Sequence, residues 1–418
     1  MYKFERLAFI YSELLKKKKT TVNELSDLMS VSKETIRTDL NLLEKKQLVK
    51  RFHGGAVLNI EFRFDSSPFP SDSIYQISGL LGDALFNPER NERGVNMQAG
   101  KVCILGSFNV DIVSTLERFP LKGETVIAEH CNIGPGGKGA NQALAASNSN
   151  CSVYFMTKVG NDRFKDFAEN HLKKSGIKSF SLLTSDSHAT GSATIFVSRK
   201  EKDNLIAIYP GANRTFSDEE VLLILPQLDK STVFLSQCEI NFTALRYAID
   251  MAKRQHAYVI LNPAPYTAFV LDLLGDVDLL TPNQSEASEI CGFPVTDLQS
   301  AAEAIKIIRL RGANEVLITL GGDGVIFSQG KNIIHIPPFK SVVNDTTGAG
   351  DAFNGALAAK ISNGEDMIKA VIFASAFASL AIEKVGAGSM PQEKQALDRI
   401  RSQDFIRPVY LTTESNAR

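Results

Sequence analysis

Cysteine is scarce and unpatterned in this sequence. Its five residues, Cys103, Cys131, Cys151, Cys238 and Cys291, stand far apart with no C-x-x-C spacing. An odd, scattered set argues against a disulfide framework or a zinc site and predicts a reducing, cytoplasmic setting. No apolar run approaches the roughly 18 residues that a membrane span needs. The opening MYKFERLAFIYSELLKKKK has charges on both sides of its apolar residues and no small-residue cleavage site, so it does not read as a signal peptide. Excess charge is missing as well: 46 Lys and Arg face 47 Asp and Glu, a formal net charge of −1. That balance hides an asymmetry. Residues 1–53 hold nine Lys and three Arg against seven acids, about +5, which leaves about −6 for the remainder. A basic lobe on an acidic body points toward nucleic acid, although a lysine run alone is often plain solvated surface.

What is present is ample for folding. The chain has 418 residues, 44% hydrophobic and 22% charged, ordinary for a globular protein and long enough for two domains. The pattern divides it into residues 1–58, helical and ending in a short hairpin; 59–99, a linker with little apolar periodicity; 100–400, a regular body; and a tail at 401–418. In the linker, one helical turn is expected around Ile77–Leu81. In the body, short apolar strands (VCILGSF, VYFMTKVG, STVFLSQ, YVILNPA, DLLTPN, EVLITLGG) alternate with helices. These are expected at about Asn141–Ser147, Arg163–Ser175, Thr243–Arg254, Gln284–Cys291, Leu298–Arg311 and Gly348–Ser362. Such alternation predicts a parallel sheet covered on both faces.

In the first part, Leu7, Ile10 and Leu14 are spaced for one helix face. Thr21 and Ser32 read as N-caps of two short helices joined by a tight turn at Ser30–Val31, a helix-turn-helix. Lys33, Glu34, Thr35, Arg37 and Thr38 fall on the outward side of the second helix and suit phosphates and base edges. LVKRFHGGAVL follows as a two-stranded wing that carries Lys50 and Arg51 and turns at Gly54–Gly55. A small helical oligomerisation module is the alternative. The stretch VSKETIRTDLNLLEKKQLVKRFHGGA resembles the DeoR-type winged helix-turn-helix of bacterial sugar-metabolism repressors. The resemblance covers about residues 1–58; the sugar-phosphate-sensing domain usual after it is replaced here by something else.

Near the other end stands VVNDTTGAGDAFNGALAA, residues 342–359. Gly348, Ala349 and Gly350 at a helix start leave backbone N–H groups open to an anion, which the helix dipole favours. Asp351 then sits in the first helical turn. Either it complements the dipole, or it serves as a base for a hydroxyl that attacks a bound phosphate. Other segments bear on the choice. FNVDIV places Asn109 and Asp111 just past a strand end, where an amide and a carboxylate suit a polyol. GPGGKGANQA is no Walker A loop, because Gly139 follows Lys138 where Ser or Thr is required; Lys138 and Asn141 would add donors to a small ligand. TPNQSEASEI sets Asn283 and Glu286 at a strand-to-helix junction, a site for phosphate and Mg²⁺-bound water, and LITLGGDGV is a strand ending in a glycine turn.

Taken together, GPGGKGANQALAA, DTTGAGDAFNGALA, FPLKGET, LNPAP, TPNQSEA and LITLGGDGV resemble the ribokinase (PfkB) family of sugar kinases from about Lys101 to Pro391, and within it the ribokinase branch. The resemblance implies an α/β fold: a ribokinase-like three-layer sandwich with a small β lid, behind an N-terminal all-α winged helix-turn-helix domain. It implies Asp351 as general base, Gly348, Ala349 and Gly350 as anion hole, and Asn109, Asp111, Gly136, Gly137, Lys138, Asn141 and Glu239 as sugar ligands. It implies Asn283, Glu286, Thr319, Gly321, Gly324 and Gly350 around ATP, with Mg²⁺ near Glu286. A K⁺ ion would involve Asp345, Thr347, Ala381, Gly386 and Ser389, although the loop VGAGSMP is one residue shorter than usual. TGSATIFVSRKEKDNLIAIYPGAN, with its turn near Lys200–Asn204, would join strands from 112–133 as the lid, and clasped lids imply a homodimer.

The reading is then an ATP-dependent pentose kinase, for D-ribose before 2-deoxyribose or another furanose, fused to a DNA-binding domain. Its rival is a transcription factor that keeps the kinase-like domain only as a sugar sensor.

Overall fold

The computed structural model describes residues 6, 10, 13, 14, 17, 19–29, 31–45, 49–58, 100–201, 203–229, 232–384 and 386–411. The helical turn expected at Ile77–Leu81 and the position of Leu7 lie outside them. The chain divides into two units, Met1–Asn96 and Met97–Arg418.

In the first unit, strand β1 (Lys19–Thr21) leads into helix α1 (Val22–Met29), then α2 (Lys33–Lys45), β2 (Val49–Phe52) and β3 (Gly55–Leu58). Both expected caps are made. Glu24 N donates to Thr21 Oγ1 at 3.2 Å while Thr21 N donates to Glu24 Oε2 at 2.8 Å, and Thr35 N donates to Ser32 Oγ at 3.2 Å. The expected turn at Ser30–Val31 lies partly outside the described residues, but Val31 N donates to Ser26 O at 3.3 Å. Ile10, Leu14, Leu25, Ile36, Leu40, Val49 and Ala56 form the core. The wing differs in two ways from its expected form. A third strand joins it, in the order β1-β3-β2, and the turn is His53–Gly54, because Gly55 already pairs with Phe52. Gly55 is fixed by close approach: a Cβ there would overlap the carbonyl of Thr20 on β1.

The second unit is built on one ten-stranded sheet. Its strands are β4 (Lys101–Leu105), β7 (Ser152–Gly160), β8 (Ser179–Ser185), β11 (Thr232–Gln237), β12 (Tyr258–Asn262), β13 (Leu279–Leu280), β14 (Glu315–Thr319), β15 (Val325–Gln329), β16 (Asn332–Ile336) and β17 (Val409–Leu411), in the order β17-β16-β15-β14-β13-β12-β11-β4-β7-β8. From β14 to β8 every pairing is parallel, as expected. The sheet is nevertheless mixed, since β15, β16 and β17 are added antiparallel at one edge.

The strands read as unbroken apolar runs because both faces are buried. Val102, Ile104, Phe155 and Leu235 face one cluster, and Cys103, Leu105, Met156 and Phe234 face the other. Helices α3 (Lys138–Asn148), α4 (Phe164–Lys174), α8 (Ala349–Ser362), α9 (Met367–Ala381) and α10 (Glu393–Ser402) supply the first cluster; α5 (Phe242–Arg254), α6 (Gln284–Cys291) and α7 (Leu298–Leu310) supply the second. α9 and α10 have no counterpart in the sequence reading. Among the described residues no helix is long and apolar enough to cross a membrane.

A separate four-stranded sheet, in the order β10-β9-β5-β6, is made by β5 (Asn109–Leu116), β6 (His130–Gly136), β9 (Gly191–Ser198) and β10 (Asp203–Tyr209). The hairpin turns between Ser198 and Asp203, which pair; this is earlier than the expected Lys200–Asn204, since Asp203 and Asn204 already belong to β10. β10 is exposed along its whole length.

Candidate functional site

Side chains from the carboxyl ends of the parallel strands and the N-terminus of α8 converge on a cavity of about 200 Å³. Of the expected site residues, Lys138, Asn283, Glu286, Thr319, Gly348, Gly350 and Asp351 line it. Gly348 caps α8 in the left-handed region with φ 79° and ψ 2°, and a Cβ there would crowd Ala387. Gly350 presents bare backbone, with nothing within 4 Å of where a Cβ would be. Asp351 is only 6% exposed. Its Oδ2 accepts from Asn141 Nδ2 at 3.1 Å and its Oδ1 from Gln142 Nε2 at 3.0 Å.

Beside this carboxylate lie two more. Glu239 Oε2 accepts the backbone N–H of Lys138 at 3.1 Å and the hydroxyl of Ser107. Asp111 has its acidity weakened to about 6, first by burial and then by the charges of Glu239 and Asp351. Lys138 answers them. Burial opposes its charge, but Asp351, Glu239 and Glu286 together outweigh that and raise its pKa. Asn109 is buried, and its Oδ1 accepts from Asn213 Nδ2 at 2.8 Å. Two glycines serve these groups rather than open space. A Cβ on Gly136 would overlap the Asp111 carboxylate, and one on Gly137, at φ +91°, would press on Asn109 N and Phe108.

At the far end of the cavity, Asn283 and Glu286 cap α6 reciprocally: Glu286 N donates to Asn283 Oδ1 at 2.8 Å, and Asn283 N to Glu286 Oε2 at 2.9 Å. Glu286 has its pKa raised, chiefly by burial. The expected nucleotide loop is less uniform. Thr319 bridges to Asn283, whereas Gly321 and Gly324 lie outside the cavity lining. Gly324, at φ +87°, is needed because a Cβ would strike the Ile336 carbonyl. Among the described residues no group of three or more His, Cys, Asp or Glu converges to hold a metal. Two loops proposed for K⁺ are stitched together by Asp345, whose Oδ1 accepts from Thr347 N at 2.9 Å and Oδ2 from Gly386 N at 2.8 Å. Asn344 N and Asp345 N both donate to the Ile382 carbonyl just after Ala381, and Ser389 N donates to Gly386 O.

Sequence reasoning passed over Asn262, Thr281, Thr346 and Asn354, which also line the cavity, and Gln142, which touches Asp351 from behind. All five lie inside segments quoted above for other residues, so the signal was position within a motif rather than residue type.

In the N-terminal unit, Lys33, Glu34, Arg37 and Thr38 are exposed on α2 and Thr35 is half-buried; Lys50 is exposed and Arg51 half-buried on β2. Arg37 Nη1 is 3.0 Å from Glu34 Oε2, and the Arg51 guanidinium bonds to Asn41, which ties the wing to the same helix.

Comparison with known proteins shows the family of each part. Residues 99–395 match the pfkB family of carbohydrate kinases, and residues 6–62 match the DeoR-like helix-turn-helix domain. The bifunctional ribokinase/ribose-5-phosphate isomerase A of Fructilactobacillus sanfranciscensis is 36% identical over 306 residues, which cover 73% of this chain and 56% of that protein. The ribokinase of Staphylococcus aureus is 35% identical over 289 residues, covering 69% of this chain and 95% of its own length. Deoxyribokinases appear too, at 33% identity over 279 residues. The structure of Arabidopsis thaliana ribokinase complexed with ribose and ATP superposes with a TM-score of 0.67 at 29% identity, covering 73% of this chain and 99% of that one. The chain therefore belongs to the pfkB family of carbohydrate kinases, as an ATP-dependent sugar kinase that also carries a DeoR-like helix-turn-helix domain.

Proposed function

We propose that this chain transfers the γ-phosphoryl group of ATP to the primary hydroxyl of a pentose, D-ribose before 2-deoxyribose. Residues 1–58, joined by 59–99 to the kinase body at 100–400, would bind operator DNA near sugar-utilisation genes. The observation that carries the kinase half is Asp351: a buried carboxylate in the first turn of α8, directly beside the bare backbone of Gly350 and facing the cavity.

A carboxylate there would repel phosphate unless its task is to take a proton. In the proposed step the sugar O–H bond breaks and its proton passes to Asp351. The oxygen forms a bond to the γ-phosphorus, and the bond to the bridging β-phosphate oxygen breaks, so that ADP leaves with that electron pair. N–H groups of Gly348 and Gly350 would face the transferring group, whereas the Ala349 N–H, expected to join them, donates to the Thr346 carbonyl at 3.2 Å; Lys138, kept cationic by its carboxylate neighbours, would offset charge on the group. Asn109, Asp111, Asn141 and Glu239 would orient the sugar.

Mg²⁺, when bound, would neutralise phosphate charge. Glu286 and Asn283 are the side chains placed to meet its water shell. The stitched loops of Asp345 and Gly386 support a K⁺ site behind the anion hole. The exposed strand β10, with Leu205, Ile206, Ile208 and Tyr209 about half exposed, supports a lid-to-lid homodimer.

Asp351→Asn tests the assignment. The expected result is a fall in kcat of roughly 10²–10⁴-fold with sugar and ATP KM little changed. Near-normal turnover would remove Asp351 from the role.

A further inference from the structure

A chain of buried amides links Asp351, through Gln142, to the cavity wall. Gln142, wholly buried on α3, donates through Nε2 to Asp351 Oδ1 at 3.0 Å and to Asn262 Oδ1 at 3.1 Å. Its Oε1 accepts from Gln237 Nε2 at 2.6 Å. Asn262 Nδ2 donates to the Thr281 carbonyl at 2.9 Å, Thr281 Oγ1 to Asn354 Oδ1 at 2.6 Å, and Asn354 Nδ2 to the Gly350 carbonyl at 2.8 Å. The path thus leaves the carboxylate of Asp351 and returns to the backbone of the residue before it.

Each bond in this path has a fixed direction. An ionised carboxylate only accepts, so Gln142 must turn its NH₂ toward Asp351 and its carbonyl toward Gln237. The strand ends at Gln237 and Asn262 then hold the amide in that sense. The helices meet closely enough for this because Gly355 of α8 packs on the backbone of α3, where a Cβ would overlap the Gln142 carbonyl. Asn141 also holds Asp351, but it is assigned to the sugar and has to share its donor when a sugar arrives. Gln142, at 0% exposure, meets no ligand.

We infer that Gln142 is the positioning residue of the catalytic base: it pins Oδ1 from the side away from the cavity and leaves Oδ2 to receive the hydroxyl proton. The inference rests on the reading of Asp351 as the base. Held from both sides, the carboxylate enters the reaction in one rotamer, and a misplacement of about 1 Å at such a group costs about a hundredfold in rate.

The test is Gln142→Glu in the full-length enzyme, a replacement of the same size that sets a carboxylate against a carboxylate. Expected are a fall in kcat of about a hundredfold at neutral pH, both KM values within roughly threefold of wild type, and an acid limb of kcat moved to higher pH, because two facing carboxylates share a proton. Turnover within roughly twofold of wild type with an unmoved pH profile would overturn the inference. So would a parallel loss of kcat, both KM values and melting temperature, the mark of a purely structural role. If Gln142→Glu fails to fold, Gln237→Leu removes the hydrogen bond to Gln142 Oε1 without removing any partner of Asp351, so the Gln142 amide is held less firmly. It should lower kcat about tenfold with KM unchanged, and unaltered kcat there would likewise overturn the inference. Asp351→Asn keeps the two questions apart: if it is inactive while the Gln142 and Gln237 variants are normal, the base stands and its positioning by Gln142 falls.

Discussion

The carboxylate of Asp111 occupies the space that a side chain on Gly136 would need, although the two residues lie on paired strands of the lid. Gly136→Ala should therefore push Asp111 out of place. The expected outcome is a rise in KM for the sugar of roughly tenfold, equivalent to about 1.4 kcal/mol, with KM for ATP little changed. Steady-state kinetics with each substrate varied in turn checks it. Equal effects on both substrates would place the sugar elsewhere.

Asp111 also gives the site a pH dependence. Its pKa is raised to about 6 by burial, Glu239 and Asp351, with the cationic Lys138 among the same carboxylates. Folding therefore takes up a proton at this position between the ordinary carboxylate value of 3.8 and about 6, and stability from this group falls as pH rises through that window. Sugar binding runs the other way. Hydroxyls donate best to the ionised form, so sugar affinity should rise with pH up to about 6 and then level off. Sugar KM measured from pH 5 to 8 reads this directly, and Asp111→Asn should flatten the curve.

The tie from Asp345 to Gly386 yields a salt prediction. Replacing Na⁺ by K⁺ at constant ionic strength should raise turnover several-fold, because a cation behind the anion hole offsets nearby negative charge. Asp345→Ala, which unstitches the two loops, should abolish the difference. Identical rates of the wild type in both salts would dismiss the cation site.

Arg37 is the clearest probe of the N-terminal unit. Its pair with Glu34 is solvent-exposed, so losing it should leave the melting temperature nearly unchanged. Arg37→Ala should nonetheless weaken DNA binding about tenfold, since one base contact contributes roughly 1–3 kcal/mol. Gel-shift titrations at two salt concentrations separate base from phosphate contacts. Wild-type binding that is equal on promoter and random DNA would count against the regulatory half.

Much of this was legible beforehand because the informative residues are local. Thr21 and Ser32 announce their helices from one position upstream, and the Gly348–Gly350 turn announces α8. The runs VCIL and VYFM read as buried strands without any alternation to help. Long-range features left no such mark. β1, Lys19–Thr21, is too short to show a period, and it becomes a strand only through its pairing with β3. α9 was missed because MIKAVIFASAFASLA is apolar on every side and so carries no stripe. The outermost strand of the antiparallel edge, β17, comes from beyond the last helix. Gln142 was invisible for a related reason: its partners are residues 237, 262 and 351, which only the closed sheet brings together.

The order of the strands also sets a timetable for synthesis. Strand β4, the first of the kinase body, lies between β7 and β11, so its slot in the sheet is not complete until Thr232–Gln237 has been made, and Asp351 comes later still. The wing, by contrast, ends at Leu58 and draws on nothing downstream within its own sheet. At about 5–20 residues per second, a ribosome would present the finished helix-turn-helix roughly 15–60 seconds before Asp351 exists. Stalled or prematurely terminated chains would then carry the helix-turn-helix without a complete kinase body, never the reverse, so errors of translation would fall unevenly on the two parts.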